Sequence, residues 1–298
     1  MKVTTENNIK EQISNDINTI LKEKCPDYEI KIIFSESNNN INISSNIKSL
    51  KNVKHIIAIA SGKGGVGKST TTVNLAAMLS KNLKVGILDL DIYGPSLPTA
   101  LGINEMPVMN EQNLLSPINK YGMKLMSFGF LNNESAPTIW RGPMVSRMTE
   151  QFFEQVDWGE LDILLLDLPP GTGDIQLTLV QKIALSGAII VTTPQDLALL
   201  DVKRGIQMFD KTGVKILGLI DNMSYFKGDN GKKYPIFGES GVEKTAKEFN
   251  KKFLGHLPIH EDLRSSADKG EPLTHFNPDH EVSTLFKDIA KKIKESFQ

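Results

Sequence analysis

An apolar run, Ile56-Ile57-Ala58-Ile59, leads into Ala60-Ser61-Gly62-Lys63-Gly64-Gly65-Val66-Gly67-Lys68-Ser69-Thr70, and the chain goes on as Val73-Asn74-Leu75-Ala76-Ala77-Met78-Leu79. The order predicts a strand, a glycine loop and a helix. The spacing from Gly62 to Gly67-Lys68-Ser69 satisfies G-x-x-x-x-G-K-[ST], in which glycines let backbone N–H groups converge on phosphate oxygens at the positive end of a helix. The candidate cradle is therefore Gly62, Lys63, Gly64, Gly65, Val66, Gly67, Lys68, Ser69 and Thr70. Lys68 is placed to reach the β- and γ-phosphates of a nucleotide, Ser69 to ligate Mg²⁺, and Thr70 to put a second hydroxyl over the α- and β-phosphates.

Beyond His55 the same alternation repeats. Val85 to Leu88, Leu161 to Leu166, Ala188 to Val191, Ile216 to Ile220 and Phe253 to Leu257 are apolar runs of strand length, the form taken by parallel strands buried on both faces. Val145 to Val156, Ile175 to Leu185, Leu197 to Phe209 and Val242 to Phe249 carry helical spacing between them. The pattern is βα repeated, so the expected fold is α/β, with a doubly wound, mostly parallel sheet in three layers. The last segment, Glu281 to Gln298, sets Val282, Leu285, Phe286, Ile289, Ile293 and Phe297 on one face, which predicts a helix packed on the sheet. Its lysines leave a membrane-surface helix as the alternative.

Two carboxylate positions follow from the strands. Val85 to Leu88 ends in Asp89-Leu90-Asp91-Ile92-Tyr93-Gly94-Pro95-Ser96, at the sheet edge where ligands of open α/β sheets bind. Asp91 is the candidate to orient an attacking water, against the plainer role of a turn-forming aspartate. Ile163-Leu164-Leu165-Leu166-Asp167 is an apolar strand ending in an acid, and its carboxylate is the candidate to hold a water on Mg²⁺. Metal contacts are thus expected from Ser69 and Asp167. The Pro- and Gly-rich stretch Leu168 to Asp174 reads as a loop that feels the γ-phosphate, and Asp174 as the cap of the next helix.

Residues 1–34 read as a short helix-strand unit too small to bury a core alone, 35–54 as a Ser/Asn-rich linker, and 55–298 as the main domain. A net charge of −1 gives no basic field to attract nucleic acid or anionic lipid. The one cysteine, Cys25, cannot form an internal disulfide or a thiolate-rich metal site within one chain. With no apolar run near the roughly 18 residues a membrane span needs, and no signal-peptide core, the expected location is the cytoplasm. The five histidines show no metal-binding spacing that a helix would preserve.

The string Lys63-Gly64-Gly65-Val66-Gly67-Lys68-Ser69-Thr70 resembles the deviant Walker A of the ParA, MinD and Mrp class of ATPases. That resemblance implies ATP sandwiched in a homodimer, with Lys63 reaching the partner's nucleotide much as an arginine finger does; the catalytic set is then Lys63, Lys68 and Asp91. Trp140-Arg141-Gly142-Pro143-Met144, Trp158 through Asp174, Thr192-Thr193-Pro194-Gln195-Asp196, and Asn222-Met223-Ser224-Tyr225-Phe226 followed by Ile236-Phe237-Gly238 resemble the Mrp/ApbC family of iron-sulfur cluster carrier ATPases. The likeness runs from His55 to the C-terminus. It implies that Asn222 hydrogen-bonds the adenine edge, that Pro258 to Asp262 flanks the base, that residues 1–34 correspond to a shortened small domain, and that the partners are iron-sulfur scaffolds or recipient apoproteins. A [4Fe-4S] cluster is implied by the resemblance alone. Many members carry Cys-x-x-Cys between the Asn-Met-Ser motif and Ile-Phe-Gly, where this chain reads Lys227-Gly228-Asp229-Asn230-Gly231-Lys232-Lys233-Tyr234-Pro235.

Three functions are consistent with these residues: a slow ATPase of iron-sulfur cluster assembly, a MinD- or ParA-like positioning ATPase, and a nucleotide-gated adaptor with little turnover and no cluster of its own. The first draws on the motifs. The second needs a lipid-binding last helix or a basic face.

Overall fold

Eight strands hydrogen-bond into one sheet in the order β10-β7-β6-β1-β5-β2-β4-β3. They are β1 (Val53–Ala60), β2 (Val85–Asp89), β3 (Ile118–Lys120), β4 (Met123–Ser127), β5 (Leu161–Asp167), β6 (Gly187–Thr192), β7 (Ile216–Asp221) and β10 (Phe253–His256); β8 (Phe226–Lys227) and β9 (Lys233–Tyr234) form a separate hairpin. This computed structural model describes residues 50–92, 94–130, 142–239 and 241–297. The chain divides into two compact units, Met1–Asn42 and Ile43–Gln298, and the second carries everything below. The expected helix-strand unit at 1–34, with Cys25, and most of the linker lie outside the described residues, as does Trp140-Arg141.

Every pairing in the main sheet is parallel except β3 with β4. The expectation of a doubly wound, mostly parallel sheet therefore holds, with an antiparallel edge strand added. The strands read as continuous apolar runs because both faces are covered: Ile57, Ala58, Leu164, Leu165, Ala188 and Ile189 are fully buried. Each large aliphatic side chain so buried contributes about 1.5–3 kcal/mol. β1 starts at Val53, inside the expected linker, because Val53 already pairs with Leu161.

The flanking helices are α1 (Lys68–Leu79), α2 (Leu97–Ala100), α3 (Gly142–Gln155), α4 (Asp174–Lys182), α5 (Asp196–Lys211), α6 (Gly241–Glu248), α7 (Glu261–Lys269), α8 (Leu273–Phe276) and α9 (Glu281–Lys294). α1 packs between the sheet and α9, whose Val282, Phe286, Ile289, Ala290 and Ile293 are buried. The face that an interfacial helix would present to lipid is thus already used inside the protein. Among the described residues no helix is long and apolar enough to cross a membrane. α4 begins at Asp174 with Gly173 in the cap position, so Asp174 is the first helical residue rather than the cap.

β1 sits centrally, with β5 on one side and β6 on the other. The crossover from β1 leads to β2 beyond β5, while β6 and β7 extend the sheet the other way. This reversal opens a crevice at the C-terminal ends of β1, β5 and β6, where such sheets bind ligands.

Candidate functional site

The loop from Ser61 to Gly67 leaves β1 at that crevice and turns into α1. Gly67 stands at the N-cap with φ 78°, a left-handed conformation that costs glycine little and other residues more. A Cβ on it would lie 2.2 Å from Asn222 Nδ2, so both backbone angle and space require glycine. The Asn222 amide is itself fastened to the loop, with Nδ2 donating to Val66 O at 2.7 Å.

Lys68, at the first position of α1, is 6% exposed and lies 2.8 Å from Asp167 Oδ1. Ser69 Oγ donates to Asp167 Oδ2 at 2.5 Å, and Thr72 Oγ1 donates to Asp167 Oδ1 at 2.8 Å. Asp167 is 1% exposed, so a buried carboxylate is met by one ammonium and two hydroxyls, the compensation that a buried charge demands. Lysine, hydroxyl and carboxylate, adjacent at a helix N-terminus, are the donors that bind a nucleotide phosphate and its Mg²⁺. The chemistry of this set fits both groups. Thr72, which the motif does not specify, could have been found by its position one helical turn after Lys68.

Asp89 faces Asp167 across the β2–β5 pairing. It is fully buried and accepts hydrogen bonds from Asp91 N–H at 3.0 Å, Leu97 N–H at 3.3 Å and Ser127 Oγ at 2.9 Å. Burial first, and then the charge of Asp167, push its carboxyl up to about 7, while those hydrogen bonds and Lys68 pull the other way. In the sequence Asp89 is one of two carboxylates at the end of β2; its burial is a tertiary fact. Asp91 is half-buried, and its Oδ1 accepts from Gly94 N–H at 3.2 Å, which is the turn-forming role.

Lys63 does not extend away from its own chain. Its Nζ donates to Gln195 Oε1 at 2.9 Å, and Thr193 Oγ1 donates to the same oxygen at 3.1 Å. Gln195 stands at the N-cap position of α5 without a side-chain capping bond, and its part in holding Lys63 has no sequence signature.

At the far side of the crevice, Ser224 N–H donates to Leu257 O at 3.0 Å and Ile259 N–H to Tyr225 O at 2.8 Å, so the Asn222–Tyr225 and Leu257–Ile259 stretches run together. Next to them Asp221, 1% exposed, lies 2.9 Å from His256 Nδ1; burial raises its pKa and the imidazole opposes the rise. His260 and His280 each accept a backbone N–H through Nδ1, from Asp262 and Val282, capping α7 and α9. With Asp262, whose carboxylate lies 3.2 Å from His280 Nε2, they gather at the starts of α7 and α9. The hairpin β8–β9 lies between the Asn222-Met223-Ser224 and Ile236-Phe237-Gly238 motifs. Phe226 and Tyr234 are exposed, and Lys233 Nζ lies 4.3 Å from the Tyr225 ring centroid. A cavity of about 580 Å³ opens at the opposite sheet edge, where Lys84 pairs with Glu160 and Lys124 donates to Trp158 O.

Residues 52–294 match the ParA-type family model described as NUBPL iron-transfer P-loop NTPase. The chain is 50% identical over 248 residues to the iron-sulfur cluster transfer protein NUBPL of Dictyostelium discoideum, covering 82% of this chain and 77% of that one. It is 43% identical over 291 residues to the iron-sulfur cluster carrier protein of Escherichia coli K12, covering 96% and 77%. Among solved structures, a nucleotide-binding protein from Archaeoglobus fulgidus in complex with ADP, with cobalt, aligns at TM-score 0.68 and 39% identity over 76% of this chain and 91% of that one. The cell-division ATPase MinD of Pyrococcus furiosus aligns at TM-score 0.60 and 21% identity, over 82% and 99%, and shares the fold.

Proposed function

The chain belongs to the NUBPL iron-transfer group of ParA-type P-loop NTPases, and from that premise we propose that it binds ATP with Mg²⁺, hydrolyses it slowly as a cytoplasmic homodimer, and serves iron-sulfur cluster transfer. One observation carries the reading: Lys68, Ser69 and Thr72 converge on Asp167 beside the left-handed Gly67. Bound Mg²⁺ would neutralise charge on the β- and γ-phosphates. Ser69 would turn from Asp167 to the ion, Asp167 would hold its water shell, and Lys68 would move its ammonium onto the phosphates. Thr72 would stay on the carboxylate and keep it oriented.

Asp91 is half-buried just beyond Asp89 at the sheet edge and would orient the attacking water. Its Oδ1 accepts from the Gly94 N–H, and the carboxylate's remaining lone pairs would meet the water. Lys63 would complete the site of the second subunit after leaving Gln195. Asn222 holds Val66 O with its amide nitrogen and would offer its amide oxygen to the base.

The cluster is cargo in this reading, and the hairpin does not fit it. A [4Fe-4S] cluster takes four ligands, typically thiolates, and Lys227 to Pro235 contains none. No step is therefore assigned to a cluster held there; the partner would supply thiolates while the nucleotide gates transfer. The same absence favours, as second reading, an adaptor whose ATP state recruits a partner. Light scattering and phosphate release with Mg²⁺ and ATP test the proposal. ATP should convert monomer to dimer with slow turnover, and ATP-dependent acceleration of iron transfer from a cluster-bearing scaffold should separate carrier from adaptor. A protein that stays monomeric with ATP and Mg²⁺ while turning over would overturn the sandwich.

A further inference from the structure

The segment joining β5 to α4 has two successive prolines, Pro169 and Pro170, neither of which has an amide hydrogen to fasten the chain. Its anchors are correspondingly few. Leu168 N–H donates to Ile59 O at 3.0 Å and Gly171 N–H to Ser61 O at 2.9 Å, so the loop leans on the end of β1. From the other side Gln176, in the first turn of α4, reaches back and donates Nε2–H to the Pro169 carbonyl. Gln176 is 2% exposed, and its Oε1 has no hydrogen-bond partner among the described residues.

An acceptor buried without a partner is destabilising. Leucine would fill a similar space without the unpaired acceptor but would leave the buried Pro169 carbonyl without its donor. What the carboxamide alone supplies is the N–H to Pro169. We propose that Gln176 is a positioning residue for nucleotide turnover: it clasps the Pro169 carbonyl and so holds the loop after Asp167 against the glycine loop. The inference rests on the ATPase reading above.

The bonds continue past the loop. Gly171 N–H holds Ser61 O, and Ser61 Oγ donates to Lys63 O at 3.0 Å. α4, the loop after Asp167 and the residue bearing the second lysine are thereby joined by three successive hydrogen bonds. Gly171, at φ 105° and with open space where a Cβ would stand, takes a conformation between Pro169 and α4 that glycine adopts at little cost.

Two variants test this in the full chain. Gln176→Leu removes both polar atoms, and Gln176→Glu keeps the shape but, as carboxylate, loses the donor. Both should lower kcat about tenfold to a hundredfold, the range a 1 Å misplacement costs, while ADP affinity stays within about twofold. Amide exchange across residues 168–174 should accelerate in both. The thermal midpoint of Gln176→Leu should stay close to that of the parent, because the unpaired Oε1 is gone while the Pro169 carbonyl loses its donor. Should Gln176→Glu unfold through its buried charge, Gln176→Leu carries the test. Parental kcat and parental exchange in Gln176→Leu would overturn the proposal. If the parent protein hydrolyses no ATP, the ATPase reading fails instead, and the exchange measurement still decides whether Gln176 holds the loop.

Discussion

Lys68 and Asp167 are 99 residues apart in the chain and 2.8 Å apart in space, almost entirely out of water. Removing one member of such a pair strands the other, so Lys68→Ala should abolish nucleotide binding and also destabilise the nucleotide-free protein by about 3–5 kcal/mol, read from a urea titration. Asp167→Asn should weaken the Mg²⁺ dependence, whereas Asp91→Asn should lower kcat with ATP affinity largely kept, because a water-orienting group acts mainly in the transition state. Equal loss of ATP binding in both would mean that the two carboxylates have been assigned the wrong way round. Asp89 adds a pH effect. Its pKa is raised on folding from 3.8 to about 7, so the folded state binds the extra proton. Its contribution to stability is present at acid pH and lost as pH rises through about 7. The melting temperature of Asp89→Asn relative to the parent should therefore climb between pH 5 and 8 without nucleotide. A difference that stays flat would mean that the carboxyl is ionised throughout.

At the scale of elements, the glycine loop is held from both ends by other parts of the fold: Asn222 on Val66, Gln195 on Lys63. Lys63→Ala should leave ATP binding intact and cut turnover, by analogy with the roughly 10³- to 10⁵-fold contribution of an arginine finger. Gln195→Glu, which exchanges a hydrogen bond for an ion pair, should hold Lys63 in place more strongly and shift ATP-dependent dimerisation to higher protein concentration. Dimerisation unchanged in Gln195→Glu would show that the contact does not compete with assembly. α9 is the second element with a decided role. Phe286 is fully buried, so Phe286→Ala should cost about 3–5 kcal/mol, and the parent chain should not float with anionic vesicles.

For the whole molecule the open quantity is the cluster. Cys25 is the sole thiol of the chain. Anaerobic reconstitution should therefore give weak or substoichiometric binding, measured as iron and acid-labile sulfide in the parent and in Cys25→Ser. Near-stoichiometric cluster retained without Cys25 would refute the ligand argument. Iron lost only in Cys25→Ser would indicate a cluster bridged by Cys25 of two chains.

The glycine loop, the parallel strands and the carboxylates at their ends were legible in the sequence, because each is a local property: glycines at fixed spacing, apolar runs of strand length, and an acid where a run stops. The packing of α9 was legible as well, since its apolar face has helical period. Four features were decided only by the tertiary fold. Thr72 and Ser69 come onto Asp167 because β1 and β5 are neighbours, and Asp89 loses its water because β2 lies against β5. Lys63 is held within its own subunit because α5 starts beside the loop, and Gln176 reaches Pro169 only after α4 has folded back. These are contacts between elements distant in the chain or turned back on it. Their energies depend on burial and distance, quantities that a residue's position in the sequence does not set.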